Sequence, residues 1–115
     1  MSSPEVNDDL IFKALASRTR RALLDALRDG PRTTGELCGL FPHLDRCTVM
    51  QHLRVLEKAE LVIPARRGRE RWNHLNAIPI KRIHDRWIRP YAVSAVSLLD
   101  RLKRDLEEGA EGKID

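Results

Sequence analysis

Residues 33–59, TTGELCGLFPHLDRCTVMQHLRVLEKA, decide how the chain is read. Thr33 and Glu36 fit a capping box: the threonine hydroxyl accepts from an amide of the first turn and the glutamate reaches back. The helix they open is short, because Pro42 stops it. Leu37, Leu40 and Phe41 are its expected inward residues. Asp45 then fits an N-cap for a helix of Arg46 to Ala59. Val49, Leu53 and Leu56 repeat at four and three, which gives that helix one apolar stripe. The segment between the two helices has room only for a tight connection. The stretch reads as helix, turn, helix.

Upstream, Asn7 is a candidate cap for a first helix with Leu10, Ile11, Ala14 and Leu15 on one face. Ser17 interrupts, and a second helix of about Arg18 to Arg28 presents Ala22, Leu23, Ala26 and Leu27. Asp29-Gly30-Pro31 ends it. Downstream the period changes to two. Leu61-Val62-Ile63 is rich in strand formers, Arg66-Arg67-Gly68-Arg69 is a charged turn, and Glu70 to Leu75 is a second strand. A regular second strand puts Arg69, Arg71 and Asn73 on one face and Glu70, Trp72 and His74 on the other. Pro79 opens a further helix with Ile80, Ile83 and Trp87 on its face. Pro90 kinks or restarts the chain. Ile88, Ala92, Ala95, Leu99, Leu102 and Leu106 then recur at four and three, which is an a/d seam. The fold class expected is mainly α with a β-hairpin: a winged helix-turn-helix with a two-stranded wing and C-terminal dimerisation helices. Residues 7–75 are expected to form the helix-turn-helix and wing and 76–108 a helical arm of the same compact domain, with 1–6 and 109–115 as flexible tails.

Composition bounds the function. The chain has 115 residues, 33% charged and 42% hydrophobic, which suits one globular domain. Aromatics are 4%, so the core is aliphatic. No apolar run approaches the roughly 20 residues of a membrane span, and the first residues lack a secretory pattern, so a cytoplasmic protein is expected. The net charge is +4, and residues 46–71 hold seven Arg or Lys against three Asp or Glu. A basic segment of this kind is a nucleic-acid footprint.

The second helix of the pair spans about 20 Å and fits the major groove of B-DNA. With its stripe buried, Arg46, Thr48, Met50, Gln51 and Arg54 face outward. Arg46 suits guanine O6 and N7, and Gln51 suits adenine. The hairpin residues Arg66, Arg67, Arg69 and Arg71 suit phosphate or minor-groove contact. Singly, each feature also fits a solvated face or a strand edge guarded by charge. In this order and at these spacings they point to double-stranded DNA.

The same residues carry a family resemblance. Phe12-Lys13-Ala14-Leu15-Ala16-Ser17-Arg18-Thr19-Arg20-Arg21 resembles the opening of the ArsR family of bacterial winged-helix regulators. Thr34-Gly35-Glu36-Leu37 resembles its third helix. Val49-Met50-Gln51-His52-Leu53-Arg54-Val55-Leu56-Glu57 and Leu61-Val62 resemble its recognition helix and exit strand. The resemblance runs from about residue 10 to residue 75. It implies a homodimeric regulator, usually a repressor, on an inverted-repeat operator, with major-groove contacts from Arg46, Cys47, Met50 and Gln51. Two positions depart: Met50 stands where a small polar residue is common, and Glu60 where glycine is.

Metal sensing is not expected. Cys38 keeps one thiolate of a third-helix motif, the second is missing, and the last helix has Asp100, Asp105 and Glu108 but no histidine. No cofactor is expected. No phosphate loop, paired histidine or nucleophile triad points to an enzyme. Two alternatives stay open. One is a winged helix that docks proteins through its a/d seam. The other is a repressor responsive to oxidation of Cys47, whose thiol sits at a helix start beside Arg46. Dimerisation is assigned to Leu10, Ile11, Ile88, Ala92, Ala95, Leu99, Leu102 and Leu106.

Overall fold

Local signals place most helix ends. In the computed structural model the backbone is described for residues 4–88, 90 and 92–112, and side chains for 7–88, 90 and 96–109. Helix α1 is Pro4–Leu15 and α2 is Arg18–Leu27. Helix α1 starts ahead of the expected Asn7 cap. Ser17 caps α2 by accepting from the Arg20 amide at 3.2 Å. Arginines close the carbonyl ends, where a helix leaves acceptors unpaired. Arg20 donates to the Ala14 and Lys13 carbonyls, Arg21 to Leu15, and Arg32 to Ala26.

A strand absent from the sequence reading, β1 (Arg32–Thr33), precedes α3 (Thr34–Leu40). Helix α4 (Arg46–Lys58) is followed by β2 (Val62–Arg67) and β3 (Glu70–Leu75). The sheet is antiparallel with order β1-β3-β2, so the wing is two-stranded at its tip and three-stranded at its base. Arg67 pairs with Glu70, so the turn is Gly68-Arg69 alone. Gly68 has φ 64 with open space where a Cβ would stand; its role is conformational. Arg66 and Arg67 are therefore strand residues, and Arg69 is in the turn rather than on a strand face.

The core is aliphatic. Leu23, Leu27, Leu37, Val49, Leu53, Leu56, Leu61 and Val62 are at most 2% exposed, joined by Ile11 and Ala14 of α1. Three expectations change. Leu24 is buried, outside the apolar face expected for α2. Leu40 is 51% exposed: seven residues of α3 turn only one face inward, and Leu37 occupies it. Ile11, assigned to dimerisation, is 3% exposed and taken up by the chain's own core, while Leu10 is half-buried.

Helices α5 (Ile78–Trp87) and α6 (Ala92–Gly112) complete the chain. The molecule divides into two compact units, Met1–Lys81 and Arg82–Asp115, so the division falls within α5. Ile80 and Trp87 of the expected α5 face are exposed, and Ile83 is half-buried. Ile88 closes α5 through its amide to His84 O at 2.7 Å, and so stands ahead of α6 rather than in it. Leu99, Leu102 and Leu106 do lie on α6, at 53–65% exposure, with Val96 and Leu98 also exposed beside them. The side chains of Ala92 and Ala95, and the terminal residues 1–3 and 113–115 of the expected tails, lie outside the described residues. Helix α6 runs through Gly109, past its expected end at Glu108.

Candidate nucleic-acid interface

The interface is built from the caps outward. The Glu36 amide donates to Thr33 Oγ1 at 3.0 Å, and the threonine hydroxyl donates to Glu36 Oε1 at 3.2 Å. The glutamate thus reaches back to the hydroxyl, a variant of the expected box. The Phe41 amide closes α3 on Leu37 and Cys38, and Leu44 N to Phe41 O at 3.0 Å tightens the turn. Asp45 Oδ1 accepts from the Thr48 amide at 2.7 Å. That amide, and then the Thr48 hydroxyl, hold the Asp45 carboxyl below the usual carboxylate range.

With its start fixed, α4 is seated by Val49, Leu53 and Leu56, all at 0% exposure. The opposite face carries Arg46, Cys47, Gln51 and Arg54, all exposed, with Thr48 and Met50 half-buried at its edges. His52 faces the body. Arg20, anchored on the end of α1, extends Nη1 to His52 Nδ1 at 3.2 Å. Burial, and then the Arg20 charge, push the His52 pKa down. Sequence reasoning missed this link between the opening segment and the recognition helix. Its signal was present, since both residues fall in the segments quoted for the family resemblance.

Helix α4 ends in a Schellman motif. Glu60 N donates to Glu57 O and Leu61 N to Leu56 O, each at 2.9 Å, with Glu60 at φ 61. A glutamate therefore occupies the left-handed position that glycine favours. Asn76 secures the same corner, donating through Nδ2 to Glu60 O and through its amide to Leu61 O.

The wing presents Arg66, Arg67 and Arg69 exposed, and the Arg67 guanidinium lies over the Trp72 ring at 5.7 Å. Arg71, expected among the DNA contacts, is ion-paired with Glu57 of α4. Glu57 is the acidic residue one helical turn after Arg54 on α4. Among the described residues no three His, Cys, Asp or Glu side chains gather as a metal would require. Cys38 and Cys47 are both free thiols. No described helix is long and apolar enough to cross a membrane.

A helix-turn-helix with a free basic face, flanked by an arginine-tipped hairpin, defines a winged helix-turn-helix DNA-binding protein. A family model described as "Helix-turn-helix domain" matches residues 15–64. The transcriptional repressor SdpR of Bacillus subtilis is 33% identical over 66 residues, which cover 57% of this chain and 72% of SdpR. The uncharacterized HTH-type transcriptional regulator YuzN of the same organism is 40% identical over 88 residues, covering 71% of this chain and 96% of YuzN. The crystal structure of an ArsR family transcriptional regulator superposes with a TM-score of 0.65 at 27% identity, covering 87% of this chain and 97% of the other. The chain belongs to the ArsR family of winged helix-turn-helix transcriptional regulators.

Proposed function

We propose that this regulator is a homodimeric repressor that binds an inverted-repeat operator and acts in the cytoplasm by blocking a promoter. The observation that carries the reading is the seating of α4. Its inner stripe is fully buried, its start is capped, and Arg46, Cys47, Gln51 and Arg54 stand free on the outer face. A helix held this way enters the major groove with little loss of side-chain order at its base, and Arg46 near its start reads guanine. Arg66, Arg67 and Arg69 meet the backbone or the minor groove.

Dimerisation is supported by α6, which leaves Leu98, Leu99, Leu102 and Leu106 at 53–65% exposure in a single chain. An amphipathic helix of 21 residues with such a stripe gains by covering it with its copy. Two-fold symmetry then sets two recognition helices about one DNA turn, roughly 34 Å, apart. The repressor assignment is supported by the relative SdpR. The test is selection of bound duplexes from a random pool at near-physiological salt. An enriched inverted repeat supports the proposal; a folded protein that enriches no sequence refutes it.

A further inference from the structure

Alternation along the wing gives its two faces different tasks. Directly paired residues of an antiparallel ladder share a face. Pro64 and Asn73, and Arg66 and Arg71, therefore lie on one side, and Ala65 and Trp72, and Arg67 and Glu70, on the other. The first side packs toward the body: Asn73 is fully buried and donates to Thr34 Oγ1 and Arg32 O. It also faces α4. Glu57, Pro64, Arg66 and Arg71 line a cleft of about 280 Å³ between wing and recognition helix. Arg71 and Glu57 are paired there with side chains 22% and 24% exposed, so solvent screens them only in part. Burial, and then the charge of Arg54, hold Arg71 below the usual arginine range. Arg54 is exposed on α4 three residues before Glu57, so the two are neighbours on the helix surface.

We infer that this cleft seats one DNA phosphodiester between Arg54 of the recognition helix and Arg66 of the wing, with Arg71 acting as a positioning residue rather than a DNA contact. The inference rests on the DNA-binding reading above. Arg66 and Arg71 line the cleft with Glu57, and Arg54 precedes Glu57 by one helical turn. The Glu57–Arg71 pair cancels one charge and leaves Arg54 and Arg66, both exposed, as the cations available to an anion. An unpaired Glu57 at this point repels the backbone. Pairing masks it and ties the wing to the helix, so that both arginines reach one phosphate together.

The test measures affinity against salt for a mixed-sequence duplex of about 30 base pairs, long enough for two half-sites, because the logarithmic salt slope counts the phosphates neutralised. Arg54→Gln and Arg66→Gln are each expected to lower the slope by about one per half-site. Arg71→Gln is expected to weaken binding about tenfold by exposing Glu57, a partly screened charge. Adding Glu57→Gln to it recovers most of that loss and returns the slope. Glu57→Gln alone releases Arg71 to the backbone and steepens the slope.

A double variant as weak as Arg71→Gln, with the slope still lower by about one per half-site, shows Arg71 on the phosphate itself and overturns the inference. An unchanged slope for Arg54→Gln or Arg66→Gln overturns it as well. Should Arg71→Gln fail to fold, Glu57→Gln decides alone: a steeper slope supports the inference, and an unchanged or shallower one overturns it. Wild-type protein that binds no duplex refutes the DNA-binding reading itself, and this is seen before any variant is compared.

Discussion

Glu60→Gly is expected to stabilise the protein, which inverts the usual effect of glycine. Glu60 sits at φ 61, just past the end of α4. The left-handed region costs a residue with a Cβ about 1–2 kcal/mol. Glycine removes that cost but gives the unfolded chain more freedom, worth roughly 0.5–1 kcal/mol. The Glu60 side chain is exposed, and the contacts that fix the corner are made by backbone: its amide to Glu57 O, its carbonyl from Asn76, and the Leu61 amide to Leu56 O. All three survive the substitution. The net gain is about 0.5–1 kcal/mol, and at about 4–8 °C per kcal/mol this raises the Tm by a few degrees. Glu60→Ala keeps the Cβ and the strain, so it gives no such gain. Thermal unfolding followed by circular dichroism, at one protein concentration for all three proteins, reads the difference. If glycine lowers the Tm, or if alanine matches it, the backbone conformation is not the source of the effect.

Three further outcomes are expected. His52 is held below its ordinary pKa, so the unfolded chain binds the proton more readily, and stability is full above about pH 6.5 and falls as pH drops toward the lowered folded value. His52→Gln flattens urea-unfolding midpoints between pH 7 and pH 5 (roughly the titration range of histidine); an undiminished pH slope removes His52 as the cause. Leu99 and Leu102 are 63% and 53% exposed in one chain, so changing both to Glu leaves the fold intact but gives monomers by sedimentation with much weakened operator binding; a variant that remains dimeric contradicts the assignment of the seam. Arg67, laid over Trp72, is expected to touch backbone only: Arg67→Ala weakens all duplexes alike and lowers the salt slope by about one per half-site, whereas a loss confined to one sequence reassigns it to base readout.

What was legible in the sequence was local. Thr33 and Asp45 mark helix starts because a side chain caps an amide three residues on, and the structure uses both; Ser17, expected only as an interruption, is a third such cap. The Val49–Leu53–Leu56 stripe was legible because burial on a helix follows its period. The free face of α4 followed from those two facts, and the wing from the change to a two-residue period after Leu61. What was not legible joins distant residues. Strand β1 is two residues long and exists only by pairing with Asn73 and Trp72, about forty positions on. The Arg71–Glu57 pair joins the wing to α4, two elements that no local pattern links. Leu40 and Leu24 show that apolar character gives the side that a residue prefers, while the reach of neighbouring elements decides whether it is covered.

The central claim is that α4 reads bases from both halves of a dimer. Selection from a random duplex pool, run side by side with wild-type protein and Arg46→Ala, tests it directly. The account predicts an inverted repeat for the wild type. It predicts that Arg46→Ala keeps the spacing but loses preference at one position in each half-site, at a cost of about 1–3 kcal/mol. The same consensus from both proteins, or a consensus with no two-fold symmetry, contradicts it.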